Sequence, residues 1–139
     1  MALNQKFTAL RKFFARQRDI GPAYLFGSTA RGERGPLSDI DLALYFKESI
    51  SPGALARRKM QLIYDITGVL KTDRIDLAII NQAPLLLKYQ IIATGLVLKD
   101  DPQRVSLEGR ILCDYLDQKY YLDRYTKIFL RNAARKGLL

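Results

Sequence analysis

A glycine–serine pair, Gly27-Ser28, and an Asp-x-Asp triplet, Asp39-Ile40-Asp41, are separated by ten residues, and this spacing constrains the fold more than any other feature. The flank Ala23-Tyr24-Leu25-Phe26 is a short apolar and aromatic run, so it reads as a buried strand. Gly27 breaks that strand, and Ser28 is a good N-cap for a short helix over Thr29 to Arg34, which Gly35-Pro36 ends. A second strand begins near Asp39 and runs through Phe46. Strand side chains alternate, so Asp39 and Asp41 share one face and Ile40 takes the other. A strand–turn–helix–strand unit of this kind predicts a mixed α/β fold, a small β-sheet flanked by helices.

The same geometry points to a chemistry. A helix N-terminus that opens with Gly27-Ser28 offers free backbone N–H groups and a hydroxyl, which suits a phosphate. Gly27 lets that phosphate approach the backbone. Two carboxylates one strand step apart hold hard cations such as Mg²⁺, whose shell is completed by water and substrate phosphates. Arg31 lies one helical turn after Ser28 and places a planar guanidinium beside the same phosphates.

A third strand is expected over Arg74 to Ile80, with Asp76 set between Ile75 and Leu77. A lone carboxylate buried in such a run is costly. Pairing with Arg74, or a solvated face, removes the cost; so does a position beside Asp39 and Asp41, where a metal supplies the missing charge and Asp76 helps deprotonate an attacking hydroxyl. The presence of the other two acids favours the metal reading.

The chain of 139 residues carries a formal net charge of +9, suited to polyanions such as nucleotides, RNA or an acidic protein surface. Its basic residues are spread out, and no compact arginine–aromatic platform favours direct nucleic-acid binding. The longest uncharged runs are too short to span a bilayer, and the first residues hold no signal peptide. Cys113 stands alone, which rules out an internal disulfide, fits the cytoplasm, and reads as a small core residue on a helix. With no histidine and one cysteine, a zinc site is excluded in practice.

The remaining elements follow from periodicity and punctuation. Residues 3–17 read as an amphipathic helix on Phe7, Leu10 and Phe14, separated from the first strand by Gly21-Pro22. Ser51 caps a helix with Pro52 at its first position, which stops at Gly68 and turns Arg57-Arg58-Lys59 to solvent. Asn81 caps the next helix, which Gly95 ends, and Leu96-Val97-Leu98 is a short edge strand. Asp100-Asp101-Pro102 starts a long helix, or two with a bend, to about Arg135. Tyr115, Tyr120, Tyr121 and Tyr125 on it are core or partner surface. One domain over residues 1–139, with a C-terminal helical segment over about 101–136, accounts for the chain.

With these residues in view, the string Gly27-Ser28-Thr29-Ala30-Arg31-Gly32 … Ser38-Asp39-Ile40-Asp41-Leu42 resembles the signature of the polymerase-β-like nucleotidyltransferases, and within them the minimal nucleotidyltransferases. Arg74-Ile75-Asp76-Leu77 matches the place of that family's third acid. The C-terminal half, with Arg110-Ile111-Leu112 and Asp114-Tyr115, resembles the antitoxin halves of HEPN/MNT toxin–antitoxin pairs. The resemblance implies that Gly27 and Ser28 hold the β,γ-phosphates of ATP, with Arg31 assisting. It implies that Asp39, Asp41 and Asp76 bind Mg²⁺, as two ions, and that Asp76 serves or assists as general base. The implied reaction transfers AMP from ATP to a tyrosine of a HEPN ribonuclease toxin, the partner in a hetero-oligomer. Other readings are a non-catalytic antitoxin that blocks its toxin by binding, and a nucleotidyltransferase acting on a small molecule such as an aminoglycoside, a cationic substrate poorly matched to this charge. A nucleic-acid-binding protein without catalysis is the remaining one.

Overall fold

A computed structural model of the chain describes residues 2–27 and 39–138. The expected helix Thr29 to Arg34, with Ser28 and Arg31, lies outside the described residues. Four strands, β1 (Ile20–Phe26), β2 (Ile40–Phe46), β3 (Ile75–Ile79) and β4 (Leu96–Lys99), form one mixed sheet in the order β3-β2-β1-β4. Strand β1 is antiparallel to β2 and β4, whereas β2 and β3 run parallel. Among the described residues four helices accompany them: α1 (Leu3–Ala15), α2 (Pro52–Leu70), α3 (Leu85–Thr94) and α4 (Arg104–Arg135). The mixed α/β architecture with a C-terminal helix is the one the sequence predicts. Among the described residues no helix is long and apolar enough to cross a membrane.

Side-chain alternation divides the sheet into two buried faces. Ile40, Leu42, Leu44 and Phe46 of β2, with Leu77 and Ile79 of β3, pack against Leu10 and Phe14 of α1 and Leu62, Ile66 and Leu70 of α2. Tyr24, Ala43 and Ile80 face the other way, onto Ile91 of α3 and Leu107 and Ile111 of α4. Odd-numbered positions of β2, including Asp41, therefore look toward the side covered by α3 and α4.

Several local expectations are corrected by longer-range contacts. Gly21-Pro22 does not separate α1 from β1 but lies inside β1, where the register shifts between Ile20 and Ala23. A bulge is where a central strand tolerates a residue without an N–H. The Ile20 carbonyl at this irregularity accepts a hydrogen bond from Lys99 Nζ at 2.6 Å, and the same ammonium reaches Gln17 O at 2.7 Å. Ser51 caps α2 as predicted, its Oγ accepting from Ala54 N at 3.4 Å, but α2 runs past Gly68 to Leu70. Leu70 is fully buried, and its burial outweighs the roughly 1 kcal/mol helix cost of glycine. Asn81 is no helix cap. It sits in the 3₁₀ turn Ile80–Gln82, where its amide accepts from Phe46 N at 2.9 Å and donates to Phe46 O at 3.1 Å, closing the end of β2. Cys113 is exposed rather than core.

Arg58 also departs from the solvent-facing expectation. Its Nε and Nη2 donate to the two carboxylate oxygens of Asp19 at 2.8 and 2.9 Å, and Nη2 also reaches Gln17 Oε1, tying α2 to the α1–β1 connection. Hydrogen bonding to Arg58 holds the Asp19 carboxyl below its ordinary value. A depressed folded-state pKa stabilises above the unfolded value and is lost as pH falls through the folded one. Arg58→Ala should therefore cost about 1 kcal/mol in urea unfolding at neutral pH, and the difference from the parent should shrink below about pH 4.

Candidate active site

The end of the sheet where β1 leaves and β2 enters gathers the candidate site. Phe26, the last residue of β1, pairs with Asp41 of β2, and Gly27 follows it with φ of 73°. That left-handed backbone favours glycine. Space is the second constraint. A Cβ at residue 27 would overlap Asp41 Oδ2 and lie 3.1 Å from Asp41 Cγ, so the chain turns directly against this carboxylate because no side chain intervenes.

On the other flank of β2, the parallel register pairs Ile40 with Ile75, Asp41 with Asp76 and Leu42 with Leu77. The register is anchored by Ile40 N donating to Arg74 O at 2.9 Å. Residues in register on adjacent parallel strands point to the same face, so Asp41 and Asp76 lie side by side there. Ile40 is buried in the opposite core, which fixes the alternation that turns Asp41 to this face. Asp39 is exposed and stands two residues upstream, at the entrance to β2.

Asp76 is exposed on edge strand β3, so the burial cost expected of it does not arise. What distinguishes Asp76 is its register with Asp41. Like charges in direct register on neighbouring strands repel, and a hard cation bound by carboxylate oxygens relieves this. The donor chemistry of the pair therefore fits a divalent ion. Among the described residues no group of three or more Asp, Glu, His or Cys side chains is drawn together as a metal cluster. Asp41 and Asp76 come together, with Asp39 beside their strand end, and Ser28 and Arg31 lie outside the described residues.

One polar network escaped the sequence reading. Tyr24, buried in β1, donates its hydroxyl to Glu108 Oε1 at 2.8 Å, and Arg104 joins Glu108 at 3.3 Å and Asp100 at 2.7 Å. Burial and the adjacent carboxylate push the Tyr24 hydroxyl far above its ordinary value, so it stays protonated and pins the start of α4 to the sheet. The i,i+4 pair Arg104–Glu108 was the available signal; the tyrosine 84 residues away was not.

A family model described as polymerase beta nucleotidyltransferase matches residues 8–104, about 70% of the chain. No curated protein matches the sequence. Among solved structures, a chain of a toxin–antitoxin with AMP-PNP is 21% identical, with a TM-score of 0.68 over 94% of this chain and 99% of that one. A chain of the tri-AMPylated Shewanella oneidensis HEPN toxin in complex with MNT antitoxin is 18% identical, with a TM-score of 0.66 over 93% and 99%. A chain of the toxin–antitoxin MntA-HepT is 19% identical, with a TM-score of 0.60 over 92% and 96%. These likenesses show a shared fold. With all four strands and the Gly27–Asp41–Asp76 arrangement inside the matched span, the chain belongs to the polymerase beta nucleotidyltransferase family.

Proposed function

We propose that the chain is an antitoxin-type protein adenylyltransferase, moving AMP from ATP onto a tyrosine of a HEPN ribonuclease toxin and so neutralising it. The observation that carries the chemistry is the register of Asp41 with Asp76 beside a glycine whose left-handed backbone and contact with Asp41 strain any side chain placed there. The partner and the transferred group are supported by the structural neighbours, which are toxin–antitoxin complexes, one with AMP-PNP and one with a tri-AMPylated toxin.

In this reading Gly27 and Ser28 hold the β,γ-phosphates, and Arg31 neutralises part of their charge. Asp39, Asp41 and Asp76 are the residues that would hold Mg²⁺, as two ions, and bound metal supplies charge neutralisation at the phosphates and a more acidic acceptor hydroxyl. The tyrosine oxygen forms a bond to the α-phosphorus, the bond from that phosphorus to the β-phosphate bridge breaks, and pyrophosphate leaves. Asp76, exposed at the sheet edge, accepts the tyrosine proton on a carboxylate oxygen. The added AMP places bulk and negative charge beside a site that must bind RNA.

The test supplies ATP labelled at the α-phosphate, Mg²⁺ and the co-expressed partner. Label should appear on the partner with the parent protein and be absent with Asp39→Asn. A partner that stays unlabelled yet inhibited would replace catalysis with simple blocking.

A further inference from the structure

The family match ends at residue 104, where α4 begins, and α4 does something the catalytic reading leaves unexplained. It is 32 residues long, about 48 Å, roughly twice the length of the seven-residue strands it packs against. Leu107 and Ile111 are buried on the sheet, and Tyr115 stacks on Tyr89 of α3 with ring centroids 3.7 Å apart. The same stripe continues through Gln118, Leu122, Tyr125 and Phe129, at alternating steps of three and four. There nothing covers it among the described residues: Leu122 is 59% exposed, Tyr125 70% and Phe129 69%. Tyr121 and Ile128, one residue before Leu122 and Phe129, widen the apolar face.

We infer that this projecting half of α4 pairs antiparallel with the α4 of a second copy of the chain. Charge decides the occupant and its direction. Residues 114–123 hold three acids, Asp114, Asp117 and Asp123, against one base, Lys119, whereas from residue 124 on Arg124, Lys127, Arg131, Arg135 and Lys136 stand with no acid among them. A parallel pair would bring the basic ends together. An antiparallel pair centred near residue 124 sets Asp114 of each copy across from Arg135 of the other, and Tyr121 across from Ile128. In the seam, Leu122 meets Tyr125 twice, and Phe129 arrives beside Gln118. That is the position of a groove of about 400 Å³ at the root of the projection, lined by Leu86, Tyr115, Gln118, Lys119, Leu122 and Asp123. Each tip thus seats against the other copy's body, and the two folded bodies lie at opposite ends of the pair, as a two-fold interface requires.

The test is the mass of the full chain, purified without any other protein, by sedimentation equilibrium. Twice the 15.9 kDa chain mass is expected, falling to 15.9 kDa in Phe129→Asp with helical content retained. Asp114→Arg and Arg135→Asp should each weaken the dimer about tenfold, and the double variant should restore it. The double variant separates pairing from folding, because both single changes are exposed. A parent that stays monomeric at high concentration, that associates only when another protein is added, or whose double variant fails to recover would overturn the inference. None of these outcomes bears on nucleotide transfer.

Discussion

Asp41→Asn should lower AMP transfer by about 10³-fold while leaving the melting temperature within a few degrees of the parent. Asparagine is isosteric with aspartate, so the β1–β2–β3 pairing around it is kept. What changes is charge. The residue sits between Gly27 and Asp76, where it supplies half of the paired negative charge on that face. A bound ion stabilises phosphoryl chemistry by several kcal/mol, and each 1.36 kcal/mol is tenfold in rate, so removing one carboxylate of the proposed metal site is worth about three decades. Initial rates of label transfer, with unfolding followed by circular dichroism, check both halves. An unaltered rate would remove Asp41 from the chemistry; a collapse of stability would make its role structural.

Gly27→Ala should be nearly as damaging, for a different reason. The left-handed backbone at φ of 73° costs alanine about 1–2 kcal/mol. The new methyl would also overlap Asp41 Oδ2, so the carboxylate, the turn or both must shift. A displacement of about 1 Å at a reacting centre costs about 10² in rate. Transfer should therefore drop about 100-fold and stability by about 1–3 kcal/mol, measured by label transfer and urea unfolding. Because the methyl acts through Asp41, the double variant Gly27→Ala/Asp41→Asn should be little slower than Asp41→Asn alone. Additive losses would mean the two positions act independently.

The parts of this site that were legible in the sequence share a property: their evidence is local. The apolar run before Gly27, the alternation Asp39-Ile40-Asp41-Leu42 and the acid in Arg74-Ile75-Asp76-Leu77 each specify a strand and a face. Two strands joined by α2 are then parallel neighbours, and only the register remained to be seen. The misreadings share the opposite property. Pro22 was read as a breaker because the bulge that shelters it depends on β2 and β4. Asn81 looked like a cap because its partner, Phe46, lies 35 residues away. Arg58 looked solvated because Asp19 comes from another element. Cys113 gave no hint of exposure, and the later tyrosines stay open between core and partner surface, since periodicity shows that a helix has an apolar face but not that it outruns the sheet beneath it.

The central claim is that the carboxylates at the β2–β3 register transfer a nucleotide to a partner protein. Its most direct test is the intact mass of the protein that co-purifies with this chain, before and after ATP and Mg²⁺, with the parent and with Asp76→Asn. The parent should add one or more adenylate units to the partner and Asp76→Asn should add none. A partner whose mass is unchanged by the parent, or increased equally by Asp76→Asn, would contradict the account.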